Sequence, residues 1–142
     1  MSNFRLFMKE NKKKKVNEKY AATKSLVDEN GKPLEWEFKH ISSTQNLAIR
    51  NDCTKEVQIT GKFGMYREKT DNVLYVKKLI TESTVYPDLD DAELQKSYGV
   101  EGAEDLLMEL VDEPGEYNAL AEFIQKMQGF KSVNDKVDEA KN

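Results

Sequence analysis

Residues 34–41 read LEWEFKHI, and how this octapeptide is read decides the fold class. Leu34, Trp36, Phe38 and His40 fall on one face of an extended chain, with Glu35, Glu37 and Lys39 on the other. That period of two is the mark of a half-buried strand. Upstream, KYAATKSLV leads into DENGKP, where Asn30 and Gly31 tolerate positive φ and Pro33 punctuates the exit. The two segments are expected to pair as a β-hairpin whose loop exceeds two residues. Downstream, SSTQNLAIRNDC reads as a short helix capped by Ser42 or Ser43, whose hydroxyl can accept from free amides of the first turn. EVQITGKFGMYREKT then predicts a second hairpin, turned at Gly61 and Gly64.

From Asp71 the period becomes helical. Val73, Val76, Leu79 and Ile80 define an inner face and Lys77 and Lys78 an outer one, in an amphipathic helix that ends before Tyr86 and Pro87. In GAEDLLMELVDEPGEYNALAEFIQKMQGF, Ala103, Leu106, Leu107, Leu110 and Val111 form one stripe. Pro114 and Gly115 break and restart the helix. Tyr117, Leu120, Ile124 and Met127 form a second stripe, widened by Phe123, and Gly129 closes it. The expected fold is therefore α+β, with N-terminal β-hairpins, several α-helices and a helical C-terminal half. It divides into a flexible basic N-terminal arm over 1–15, one α+β domain over 16–130, and a polar flexible tail over 131–142.

Composition sets outer bounds. At 142 residues the chain suits one modest core. Hydrophobic residues make up 38% and charged residues 34%, the latter above the usual ~25%, so polar ends are expected around that core. The single Cys53 excludes an internal disulfide, and the N-terminus lacks the apolar run of a signal peptide; together they point to a reducing cytoplasm. No apolar run is long enough to cross a bilayer as a helix, so no membrane partner is expected.

The net charge of −4 conceals a division: residues 1–80 hold 17 Lys and Arg against 10 Asp and Glu, and residues 81–142 hold 5 against 16. Except at Lys12, Lys13, Lys14 and Lys15 the bases are scattered among acids, and the acidic half would repel phosphate. No nucleic-acid partner is expected, and the lysine run reads as a solvated arm.

Residues 86–99, YPDLDDAELQKSYG, are the stretch most like a site, with Asp88, Asp90, Asp91 and Glu93 crowded together. A helix beginning near Asp90 or Asp91 accounts for all four. Asp88 or Asp90 would cap it, and Glu93 would lie where the helix dipole favours negative charge. Leu94 and Tyr98 would supply an inner face and Gly99 a stop. A calcium loop needs oxygen ligands spread over twelve positions with a central glycine, and here the glycine stands at the far end. A transition-metal site would want His or Cys, but His40 and Cys53 form no spaced pair. Carboxylate acid–base chemistry stays open from the residues alone, although no nucleophile, phosphate-cradling loop or cofactor motif accompanies it. His40, Cys53 and Trp36 read as structural.

The ordered series FMKENKKKK, KYAATKSLVDENGKPLEWEFKHIS, DCTKEVQ, VYPDLDDAELQKSYGVEGAEDLLMELV and PGEYNALAEFIQKMQGF resembles the XkdN-like family of phage and prophage tail assembly chaperones. The likeness runs from about residue 6 to 130. It implies a non-enzymatic assembly factor, without cofactor or metal, that binds the tape measure protein, keeps it soluble and helps recruit tail tube subunits. The resemblance further implies action in the bacterial cytoplasm and absence from the finished particle. A minor structural connector or tube-associated protein of the tail is the alternative. Tail chaperones of this kind are often also made in a frameshifted longer form, which would join at the tail from Lys131. From the residues we add that the charge division favours head-to-tail self-association, and that Leu107, Met108, Phe123 and Met127 are the candidate partner contacts.

Overall fold

The computed structural model describes residues 3–131, so all but the first residue of the expected polar tail lies outside the described residues. The chain opens with two short 3-10 turns, Asn3–Phe7 and Lys9–Asn11, which bury no side chain. Strand β1, Glu18–Tyr20, pairs antiparallel with β2, Trp36–Phe38, setting Glu18 opposite Phe38 and Tyr20 opposite Trp36. The expected hairpin is therefore present. Its far end is a tight turn in which the Asp28 carboxylate accepts from the amides of Asn30 and Lys32. Trp36 and Phe38 are buried as the alternation predicts, but Leu34 is exposed. The ladder starts only at Trp36, and Leu34 lies in the outer part of the hairpin, bonded through its amide to Leu26 O.

Helix α1, Ser43–Asp52, carries a full capping box: Ser42 Oγ accepts from Gln45 N while Gln45 Oε1 accepts from Ser42 N. The second hairpin, β3 (Thr54–Gln58) with β4 (Tyr66–Thr70), forms a separate two-stranded sheet. Gly61 and Gly64, each at φ +79°, shape its tip; side chains with a Cβ rarely adopt that backbone. Helix α2, Asn72–Ser83, is capped by Asp71. Its inner face runs through Tyr75, Leu79, Ile80 and Ser83, and Val73 is exposed, which corrects the expected face. The buried stripe is set by packing of α2 on α1, on α4 (Ala103–Leu110) and on α5 (Pro114–Met127). Lys78 does not face away either, because its ammonium reaches Glu104 Oε1 on α4 at 3.2 Å.

One strand goes beyond the elements expected from the sequence. Immediately after α2, residues Thr84–Tyr86 form β5, which pairs with β2 and completes a three-stranded antiparallel sheet in the order β1–β2–β5. Thr84 belongs to both elements, since its hydroxyl donates to Ile80 O while its backbone opposes Phe38. Helix α3, Ala92–Ser97, follows, and α4 and α5 are divided at Pro114 as expected.

The core lies between the sheet and the helices. Phe38, Leu79, Ile80, Leu106, Leu120 and Ile124 are all fully buried, each contributing about 1.5–3 kcal/mol by transfer from water. Phe123 of α5 stacks on Tyr20 of β1 at 4.4 Å between ring centroids and meets Phe38 edge-on at 5.8 Å. Two polar clamps close the seam. Glu116 Oε1 accepts from Thr23 Oγ1 and its Oε2 from Lys24 N, both at 2.8 Å. At the other end of α5, the Gln128 amide donates to Lys39 O and Ser83 Oγ, and its oxygen accepts from Ile41 N.

Candidate interaction surfaces

The acidic stretch folds as a helix start. Asp91, not Asp88 or Asp90, is the N-cap of α3: its Oδ1 accepts from Leu94 N at 2.8 Å. Asp88 acts one turn earlier, accepting from Asp90 N at 3.0 Å. The shift by one residue follows from this turn, which carries the chain one position further before the helix begins. Among the described residues, no group of three or more His, Cys, Asp or Glu side chains is placed to hold one metal ion. Cys53 is buried at the C-cap of α1, where burial pushes its thiol pKa above the ordinary value. His40 Nε2 lies 3.6 Å from Glu18 Oε2 at the end of the sheet. The hydroxyl of Tyr75 donates to Asn46 Oδ1, and burial holds the pKa of Tyr75 above its usual value.

The four helical residues expected to meet a partner do not share one surface. Leu107 is 0% exposed, within the core. Its neighbour Met108 projects outward at 36% exposure. Phe123 is engaged by Tyr20 and Phe38, and Met127 is half-buried against the core. An amphipathic stripe covered by a sheet is core, so sequence periodicity marked the helix faces but not which of them stayed open.

Exposed apolar side chains concentrate elsewhere. At the β3–β4 tip Phe63 is 99% exposed, flanked by exposed Met65 and Tyr66. Single exposed apolar residues are ordinary, but three within four positions on a projecting hairpin form a patch of the kind that marks contact sites. A second feature is a groove of about 480 Å³ floored by Leu34, Trp36, Val85, Tyr86 and Leu94. Glu35, Asp88 and Asp91 also line it, and no Lys or Arg does. A third is the arm, in which Leu6, Phe7 and Met8 are exposed just ahead of the lysine run. The sequence signal for the groove was present in Thr84-Val85-Tyr86, a β-branched and aromatic run ahead of Pro87.

No helix among the described residues is long and apolar enough to cross a membrane. In comparisons with known proteins, the family described as phage XkdN-like tail assembly chaperone protein matches residues 4–141. None of the curated proteins matches. The chain is similar in fold to the crystal structure of the protein yqbn, with a TM-score of 0.75 at 19% identity, covering 92% of this chain and 99% of that one.

Proposed function

The chain belongs to the phage XkdN-like tail assembly chaperone family, and from that premise we propose that it binds the tape measure protein, keeps it soluble and helps recruit tail tube subunits. It does so without catalysis, in the bacterial cytoplasm, and leaves before the particle is complete. The observation that carries the reading to a surface is the β3–β4 tip, where Phe63 stands almost wholly in water close in sequence to exposed Met65 and Tyr66. A client that is long, helical and prone to aggregate needs its apolar stripe covered by contacts weak enough to release. A small projecting apolar tip meets that need, and Met108 on α4 supplies a second point of contact. Leu107 lies in the core, and Phe123 and Met127 pack against it.

The test is co-expression with the tape measure protein of the same phage or prophage. The soluble fraction of the tape measure protein rises and the two co-purify with the wild-type chain. Both effects are lost with Phe63→Asp and Met65→Asp together, whose own unfolding midpoint is unchanged. An insoluble tape measure protein beside folded wild-type chain, or this chain recovered in purified particles as a connector would be, overturns the proposal.

A further inference from the structure

We propose that the N-terminal arm of one copy docks in the groove between β2, β5 and α3 of a second copy, joining the chains head to tail. This contact needs no tape measure protein and uses surfaces distinct from the β3–β4 tip.

The two surfaces are complementary in chemistry. Residues 1–17 carry Arg5, Lys9 and Lys12 to Lys15 against one acid, Glu10. Within this basic segment Leu6 and Phe7 are 75% and 85% exposed, and neither 3-10 turn buries a side chain. The groove offers the converse. Its floor is apolar, with Leu34, Val85 and Tyr86 themselves exposed, and its charged lining residues are Glu35, Asp88 and Asp91. An apolar cluster followed by a basic run thus meets an apolar floor edged by carboxylates. Such pairing steers encounter and fixes register.

The register of the sheet points to a second copy as the occupant. Asn17 and Glu18 leave the sheet beside Phe38, and Lys12, Lys13 and Lys15 border a cleft with His40, Ser42 and Gln128. The groove lies at the other end, because β5 runs antiparallel to β2 and carries Val85 and Tyr86 toward Trp36 and Leu34. Arm and groove therefore sit at opposite ends of the same sheet. A contact between two different patches at opposite ends is heterologous and adds copies in a row instead of closing a pair. Such a row suits a chain that must cover an extended partner.

Sedimentation velocity of the full chain over a concentration series tests this with two variants and their mixture. The wild type sediments faster as concentration rises, and the effect weakens as salt goes from about 0.05 to 0.5 M because screening shortens the reach of the charges. An arm variant, Leu6→Glu with Phe7→Glu, and a groove variant, Glu35→Lys with Val85→Lys, each associate roughly tenfold or more weakly. An equimolar mixture restores a 1:1 complex, since the groove variant keeps its arm and the arm variant keeps its groove. Thermal unfolding of each variant verifies folding. If the groove variant unfolds, Glu35→Lys alone at its exposed position replaces it, with a several-fold loss expected. A wild type that stays monomeric throughout, with the arm folded onto its own groove or not, overturns the proposal. So does either folded variant associating like wild type, or a mixture with no complex.

Discussion

The two hairpins of this protein have the same backbone plan and fold to different ends. In the first, β1–β2, the inward residues Trp36 and Phe38 are buried, Phe38 against Phe123 of α5, and β5 covers the far edge. In the second, β3–β4, two strands of five residues pair in full register, yet most of their side chains are exposed and the largest apolar one sits at the tip. The ladder hydrogen bonds of both are made, so the difference is not in the backbone. It lies in what covers the sheet. A hairpin becomes core when its apolar positions alternate along the strands, and an appendage when they gather at the turn.

Phe38→Ala removes a fully buried ring that touches Trp36 and Phe123, and should cost about 3–5 kcal/mol in a denaturant titration. Phe63→Ala, equally large in volume removed, should change stability by less than about 0.5 kcal/mol. Comparable losses at the two sites would mean that the tip is covered in solution.

Next come the clamps that fasten the first hairpin to α5. Glu116→Ala strips acceptors from the buried Thr23 hydroxyl and from Lys24 N, and Gln128→Ala strands Ile41 N and Lys39 O. Each should cost about 0.5–1.5 kcal/mol, the net worth of a hydrogen bond, since water reaches Lys24 N and Lys39 O and Thr23 keeps Ser25 as a partner. Hydrogen exchange at Lys24 and Ile41 should quicken in the corresponding variant. Unchanged protection there would show that water replaces the clamp at no cost.

Asp91→Ala should cost about 1 kcal/mol through loss of the α3 cap. Asp90→Ala should stay within about 0.5 kcal/mol, since the carboxylate of Asp90 takes no part in that cap. The reverse order would return the cap to the position that sequence favoured.

The smallest effect is one of pH. The hydrogen bond to Glu104, with the charge of that carboxylate, raises the pKa of Lys78 above its ordinary 10.5. Stability from the pair is therefore fully present below the unfolded value and is lost as pH rises through the folded one. Lys78→Met should differ from wild type by about 0.2–1 kcal/mol near neutrality, because both side chains remain partly solvated. The difference should shrink as pH rises past 10.5 and through the folded value. A gap that persists there would assign it to packing of the lysine stem.

The α+β class, both hairpins, the capped start of α1, the break at Pro114, the family and the helical nature of the acids from Asp88 to Glu93 are all legible in the residues. These rest on local physics: a period of two or of 3.6, a hydroxyl or carboxylate in reach of free amides, and glycine where φ is positive. Tertiary structure alone decided that Thr84–Tyr86 is a strand, that Val73 faces water, that Leu107 is core, and that Glu116 and Gln128 hold α5 to the sheet. A three-residue strand has too few positions to show a period, and a polar clamp joins residues some ninety positions apart. Which apolar stripe is covered depends on what packs over it, and that is a property of the assembled layers and not of any one segment.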